Sequence, residues 1–299
     1  LAAPNRLRPR ACLMTTPFVR DTCVQISNRL KMASFSMQQF SGLLRPRAPQ
    51  TVAAAAARSP SNAQRSRLRH VSVRASLFDA ERQAELWYFD ACGVAETTRT
   101  LFVAAGMPFT DKRYKFSLVG GKPQVEEQHT LDKEAGLFST NLNRLPLLVL
   151  PEGQIIGQSK AIERLVAKEL GYYGVSDVEG AHIDCYCEHI RDMREAYRKA
   201  MGTPFVPPSK EAEEKWFSED MPNWMKRLEK VTGSDGCAVG TNLSLADVSL
   251  YVFLTQDVRK QDLCKAAYAD CPNICAVVAA VAAVEGVQRW LEERPETMF

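Results

Sequence analysis

The sequence predicts an α/β domain followed by an all-α domain, and three observations carry that expectation. Strand signals alternate with helical periodicity between residues 84 and 172, they cease beyond Tyr173, and residues 1–75 have a composition that suits neither part. The expected organisation is a leader over 1–75, an α/β domain over 84–172 and a helical domain over 178–299.

With 299 residues and 45% apolar residues, the chain can bury a sizeable core, which excludes wholesale disorder. Its longest apolar run, Ile274 to Val284, is 11 residues, short of the roughly 18 needed to span a bilayer, so no membrane partner is expected. The net charge of +3 is unevenly placed: residues 1–75 hold twelve Arg, one Lys and a single acid, Asp21, which sum to +12 and leave −9 for the rest. An acidic body gives no electrostatic support to a nucleic-acid role.

The elements follow in order. Leu86-Trp87-Tyr88-Phe89 reads as a strand broken by Asp90 and Gly93, and Ala95 to Ala105 has apolar residues at helical spacing up to Gly106. Phe109 to Phe116 alternates as a second strand, and the intervening helix implies a right-handed parallel crossover. Ser117 to Asn143 reads as a polar segment without a defined element. Leu145 to Leu150, Pro151-Glu152-Gly153-Gln154 and Ile155-Ile156 form a hairpin, and Ile162, Leu165, Val166 and Leu170 mark a helix capped by Gly171. Helices are expected over 182–201, 210–231, 245–258 and in a last group over 273–293.

From Met32 to Ala75 there are seven Arg, no Lys and no acid, with many Ser, Ala and Gln, which is organelle-targeting composition. The ending Val73-Arg74-Ala75 before Ser76 resembles chloroplast transit-peptide cleavage sites, so a chloroplast location is expected, with the mitochondrion as the alternative. Residues 1–31 precede a good start at Met32 and are expected to be translated leader, or else part of a longer disordered one.

Seven of nine cysteines lie beyond the leader without disulfide-framework spacing, so a reduced compartment is expected. His182, Cys185 and His189 share a helical face, but Cys185-x-Cys187 is no zinc-knuckle spacing. Small buried thiols and no metal are the expectation.

Leu86-x-Tyr88-Phe89-x-x-x-Gly93-x-Ala95-Glu96, Arg144-Leu145-Pro146-Leu147-Leu148, Gly157-Gln158-Ser159-x-Ala161-Ile162 and Leu243-Ser244-x-Ala246-Asp247 occur in that order along the chain. Together they resemble the glutathione transferases, particularly the tyrosine-type sigma class. The resemblance implies a thioredoxin-like N-terminal domain, an all-α C-terminal domain, a homodimer, and glutathione as co-substrate with no further cofactor. The implied activity is conjugation of glutathione to small hydrophobic electrophiles, or reduction of organic hydroperoxides, in detoxification or stress response. A non-catalytic binding or structural relative and a Cys92-dependent thiol oxidoreductase are the alternatives.

By that resemblance Tyr88 is the catalytic residue, donating a hydrogen bond that favours the glutathione thiolate. Cys92, four residues on, is its rival as an activated thiol at a helix N-terminus, although the Cys-Pro pattern of cysteine-type transferases is absent. Leu145 and Pro146 are implied to present backbone, across a cis peptide, to the cysteinyl part of glutathione. Gln158 and Ser159 take the γ-glutamyl carboxylate at a helix N-terminus, where free N–H groups favour an anion. Asp192 is implied to reach the α-amino group of glutathione in the neighbouring subunit; a solvated acid is the other reading. Lys122 and Lys133 are weaker candidates for the glycine carboxylate, and Arg144 stands where the family has Gln and is a further one. Val94 replaces the family's arginine after the loop glycine. Ser244 and Asp247 form a structural capping box with a hydrophobic staple between Leu243 and Val248. The apolar side of the electrophile pocket is expected from the first loop and the family's fourth and sixth helices.

Overall fold

The computed structural model describes residues 76–119, 122–202 and 207–297, apart from the side chains of Leu118, Lys122 and Pro123. The expected leader and its cleavage after Ala75 lie outside the described residues, as does the Lys122 side chain.

Strand β1 (Glu85–Phe89) leads through a 3-10 turn at Gly93–Ala95 into α1 (Glu96–Ala104), and the chain returns as β2 (Thr110–Tyr114). β1 and β2 pair in parallel, Tyr88 beside Arg113, which the short crossover helix dictates. β5 (Leu147–Val149) and β6 (Ile155–Gly157) complete a four-stranded sheet in the order β2-β1-β5-β6, both pairings antiparallel. Leu86, Leu147 and Leu148 are fully buried where these strands meet. The peptide between Leu145 and Pro146, just before β5, is cis.

The segment 117–143, expected to be featureless, holds β3 (Phe116–Val119) and β4 (Lys122–Val125), which form a separate antiparallel pair, and α2 (Glu127–Glu134). α2 carries no apolar stripe because the residue it buries is Asp132, which accepts from Lys112 Nζ at 2.7 Å, Tyr114 Oη at 2.6 Å and Gln128 Nε2 at 2.7 Å. A helix held by polar bonds has no apolar periodicity to betray it.

α3 (Ser159–Glu169) ends at Leu170 with Gly171 at φ +80°, as its glycine cap requires. α4 (Asp177–Met201) starts five residues before its expected first residue, because Ser176 caps it by accepting the Glu179 N–H at 3.2 Å. The helix expected over 210–231 is two helices, α5 (Lys210–Lys215) and α6 (Met221–Glu229), joined by a π turn at Trp216–Asp220. Pro222 cannot supply its N–H, and the wider turn lets adjacent Trp216 and Phe217 both face inward. α7 (Leu245–Val252) likewise runs on into a π turn, Phe253–Asp257. α8 (Gln261–Tyr268), not expected, precedes α9 (Pro272–Ala282) and α10 (Glu285–Glu293).

The capping box forms as expected: Ser244 Oγ accepts from the helix, and Asp247 Oδ2 accepts from the Ser244 N–H at 2.7 Å. Asp247 Oδ1 also takes the Ala238 N–H, at 2.5 Å, which ties the preceding loop to the helix start. All of α7 is buried, packed on α1, α4 and α9, so one core runs from Phe78, Phe102 and Ile162 to Val248, Val252 and Val277. Among the described residues no single helix is long and apolar enough to cross a membrane.

Candidate functional site

The loop between β1 and α1 is shaped by a residue that sequence reasoning passed over. Arg99 is fully buried, and a buried cation must be paired. Its guanidinium donates to the carbonyls of Ala91 at 2.7 Å and Cys92 at 3.3 Å, and to the carboxylates of Glu96 at 3.2 Å and Asp111 at 3.1 Å. With two consecutive carbonyls drawn inward, the chain turns at Gly93, at φ +45°. A Cβ there would stand 2.7 Å from Tyr88 Oη, so both backbone and space require glycine. The turn brings the Val94 N–H onto the Tyr88 phenol oxygen.

The Tyr88 oxygen thus accepts one hydrogen bond and keeps its own hydrogen for another acceptor. Burial pushes the phenol above its ordinary pKa, opposed by the Val94 N–H and by the charges of Arg99 and Arg198. Tyr88 therefore stays protonated near neutrality and is a donor, not a base. Arg99 also lies 5.9 Å from the centre of its ring.

Cys92 occupies the same loop, half-buried, with Sγ 3.5 Å from Arg294 Nη1 and 3.6 Å from Thr297 Oγ1. Burial, followed by the nearby Glu96 carboxylate, raises its pKa, the reverse of what an activated thiol needs. Of the other thiols, Cys187, Cys237, Cys264 and Cys271 are buried as expected, whereas Cys185 is exposed, 3.6 Å from His189, and Cys275 is half-buried. The described residues hold no group of three side chains placed to bind a metal.

A second cluster forms at the edge of β5 and β6. Asn141 donates to the carbonyls of Arg144 at 2.9 Å and Pro146 at 3.0 Å, and its side chain packs so closely on Gly157 that a Cβ there would collide at 2.6 Å. That contact sets residues 144–146 beside 157–159. Gln158 is the residue before α3, exposed and at φ +69°, a backbone conformation held at a cost of about 1–3 kcal/mol. Ser159 is not the cap but the first residue of α3; its hydroxyl makes no hydrogen bond among the described residues, leaving it and the N–H groups of Ser159 and Lys160 open to a ligand, while the Ala161 N–H is held by the Gln158 carbonyl at 2.9 Å. Arg144 is exposed, and Lys133 lies nearby, bordering a cavity of about 360 Å³ with His129 and Asn143.

Asp192 stands apart from this cluster on the exposed surface of α4, with Arg191 3.5 Å away. One and two turns earlier, Glu188 and Asp184 are held by Arg164 of α3, at 2.8 and 2.6 Å. Asp192 has no such tie to α3 among the described residues.

A larger cavity of about 840 Å³ opens between the first loop (Cys92, Gly93, Val94), α4 (Arg194, Tyr197, Arg198), the π turn after α7 (Gln256, Asp257) and Arg294. These walls stand where the electrophile pocket was expected, but their character differs: five cationic and three acidic residues interrupt the apolar ones.

Residues 191–294 match the family model of the glutathione S-transferase C-terminal domain. Probable glutathione S-transferase 8 of Caenorhabditis elegans is 28% identical over 225 residues, covering 72% of this chain and 98% of the relative. S-crystallin SL11 of Nototodarus sloanii is 24% identical over 219 residues, with 72% and 98% covered. The solved glutathione S-transferase of Ascaris lumbricoides aligns at 25% identity with a TM-score of 0.57, over 73% of this chain and 100% of that one. The fold is that of the glutathione transferases.

Sequence reasoning singled out Tyr88, Gly93 and the cis peptide before Pro146, and passed over Arg99, Asn141 and Arg198. Arg99 left one faint signal, the Glu96-x-x-Arg99 spacing inside a helix that also buries Thr97, Leu101 and Phe102. Asn141 and Arg198 left none, because their surroundings come from residues distant in sequence.

Proposed function

We propose that this protein is a tyrosine-type, sigma-like glutathione transferase in which Tyr88 donates its phenolic hydrogen to the glutathione sulfur. The donor favours the thiolate, which attacks an electrophilic carbon, or reduces an organic hydroperoxide with a second glutathione completing the disulfide. Leu145 offers its backbone to the cysteinyl unit, Gln158 and Ser159 take the glutamyl carboxylate, and Arg144, with Lys133 nearby, faces the glycine carboxylate. What supports this reading is the Tyr88 phenol oxygen seated against the Gly93 turn, where a Cβ would stand 2.7 Å away, on the loop that Arg99 draws inward.

The test is retention on immobilised glutathione followed by turnover of a generic aryl halide. Tyr88→Phe keeps the packing and deletes the donor. A charge-assisted hydrogen bond of roughly 1.5–3 kcal/mol then corresponds to a loss of about ten- to a hundredfold in rate near neutral pH. Full activity in Tyr88→Phe together with none in Cys92→Ser would turn the assignment over to the thiol.

A protein that binds glutathione without turnover is the second reading, favoured by Val94 in the arginine's place and by an S-crystallin among the relatives. Retention without turnover distinguishes it. We also propose that the protein acts in the chloroplast in stress-related detoxification, after removal of the leader near Ala75, on the strength of the acid-free Arg and Ser composition before it. The mass of the organelle-imported protein reports this directly, and a mature N-terminus upstream of Arg65 excludes it.

A further inference from the structure

The 840 Å³ cavity is lined by Arg194, Arg198, Arg259, Lys260 and Arg294 against Glu213, Asp257 and Glu296. Three of the cations are engaged. Arg194 Nε lies 2.5 Å from Asp257, Lys260 Nζ 3.4 Å from Glu213, and Arg294 reaches Glu96 at 2.8 Å and Gln256 at 2.6 Å. Arg259 donates its backbone N–H to Tyr197 Oη at 3.1 Å and has further interactions of its own. Arg198, one turn beyond Arg194 on α4, has no hydrogen bond or ion pair among the described residues, yet it borders the cavity with its side chain exposed. Its charge also reaches the Tyr88 phenol, and the cavity it borders is walled in part by Gly93 and Val94 of the Tyr88 loop.

We infer that the second substrate of this transferase is an anion, an electrophile bearing a carboxylate that Arg198 receives. An unpaired guanidinium at the wall of a cavity has its donors free for a planar carboxylate, and the neighbouring ion pairs keep the other cations from competing for it. A substrate entering the cavity displaces water from Arg198 and strengthens an attraction that is weak while exposed. Val94, Tyr197 and Met201 supply the apolar surface for the rest of such a molecule.

This inference rests on the transferase reading, and a matched pair of aryl halides separates the two. In 1-chloro-2,4-dinitrobenzene and 4-chloro-3,5-dinitrobenzoate the glutathione sulfur bonds to the ring carbon, chloride leaves with the electron pair of the broken bond, and the thiol proton passes to solvent. They differ in the carboxylate. In the full chain at low salt, the ratio of kcat/KM for the benzoate to that for the neutral halide should fall roughly five- to tenfold in Arg198→Gln, be largely kept in Arg198→Lys, and shrink in the wild type as salt is added. Any effect of Arg198 on the thiolate touches both substrates and cancels in the ratio. Binding of the unreactive 3,5-dinitrobenzoate, measured by calorimetry, is the second readout. Turnover of both halides with an unchanged ratio in Arg198→Gln overturns the anion subsite and leaves the transferase standing. Arg198-dependent binding without turnover of either halide keeps the subsite and removes the transferase reading, and absence of both overturns both.

Discussion

Tyr88 and Gly93 answer one requirement between them: a phenol must be buried enough to stay protonated and yet have its hydrogen pointing at a ligand. Burial supplies the first, and the Val94 N–H, made to fit by the bare Cα of Gly93, leaves the phenol oxygen one lone pair poorer without using its hydrogen. The expected pH dependence follows with a definite sign. On the proposed function, the donor of the wild type should lower the apparent pKa of bound glutathione from the ordinary thiol value, near 8.5. Tyr88→Phe loses that depression, so its rate profile should rise at higher pH and the gap to wild type should close as the thiol ionises unaided. A gap that stays constant between neutral pH and pH 9.5 would mean that the phenol does something other than stabilise the thiolate.

At the scale of elements, α7 is the piece on which both halves lean, since it packs on α1 and α4 and all of its residues are buried. Its start is fixed by Asp247, itself fully buried and accepting from the Ser244 N–H, the Ser244 hydroxyl and the Ala238 N–H. Asp247→Ala strands those donors, and chemical denaturation should show a loss of about 2–4 kcal/mol with little change in the denaturant slope. A loss under 1 kcal/mol would show that water replaces the carboxylate. This cap was legible because a capping box is local, spelled out within four residues, and so were β1, the β5–β6 hairpin and the apolar stripe of α3. The features that escaped are those settled at a distance. α2 is held by Asp132 bonding to Lys112 and Tyr114 of β2, the π turn at Trp216–Asp220 answers to Pro222 and to the core beneath it, and Arg99 reads in sequence as an ordinary polar helix residue until its partners Ala91, Cys92 and Asp111 are seen around it. The same holds for the 840 Å³ cavity, whose place the resemblance implied but whose charge depends on which arginines find partners.

For the whole molecule, the exposure of Asp192, paired only with its neighbour Arg191 at 3.5 Å among the described residues, is what a shared site in a homodimer would use. Glu188 and Asp184 are occupied by Arg164, while Asp192 presents its carboxylate at the surface of α4. Asp192→Ala should raise the glutathione concentration needed for half-saturation several-fold, and in mixed dimers carrying Asp192→Ala in one subunit and Tyr88→Phe in the other the defects should combine across the interface. An unchanged half-saturation would make Asp192 a solvated surface acid.

The bonds around Glu96 also set a timetable for synthesis. Glu96 Oε1 accepts from Trp290 Nε1 and from Arg294 Nη1, both at 2.8 Å, and these donors lie 194 and 198 residues later in the chain. At elongation rates of about 5–20 residues per second, Glu96 is polymerised roughly 10–40 s before these two donors, with Arg99, three residues on, to pair with it in the interval. The nascent N-terminal half therefore lacks two of the bonds that tie Glu96 to the C-terminal end of the chain.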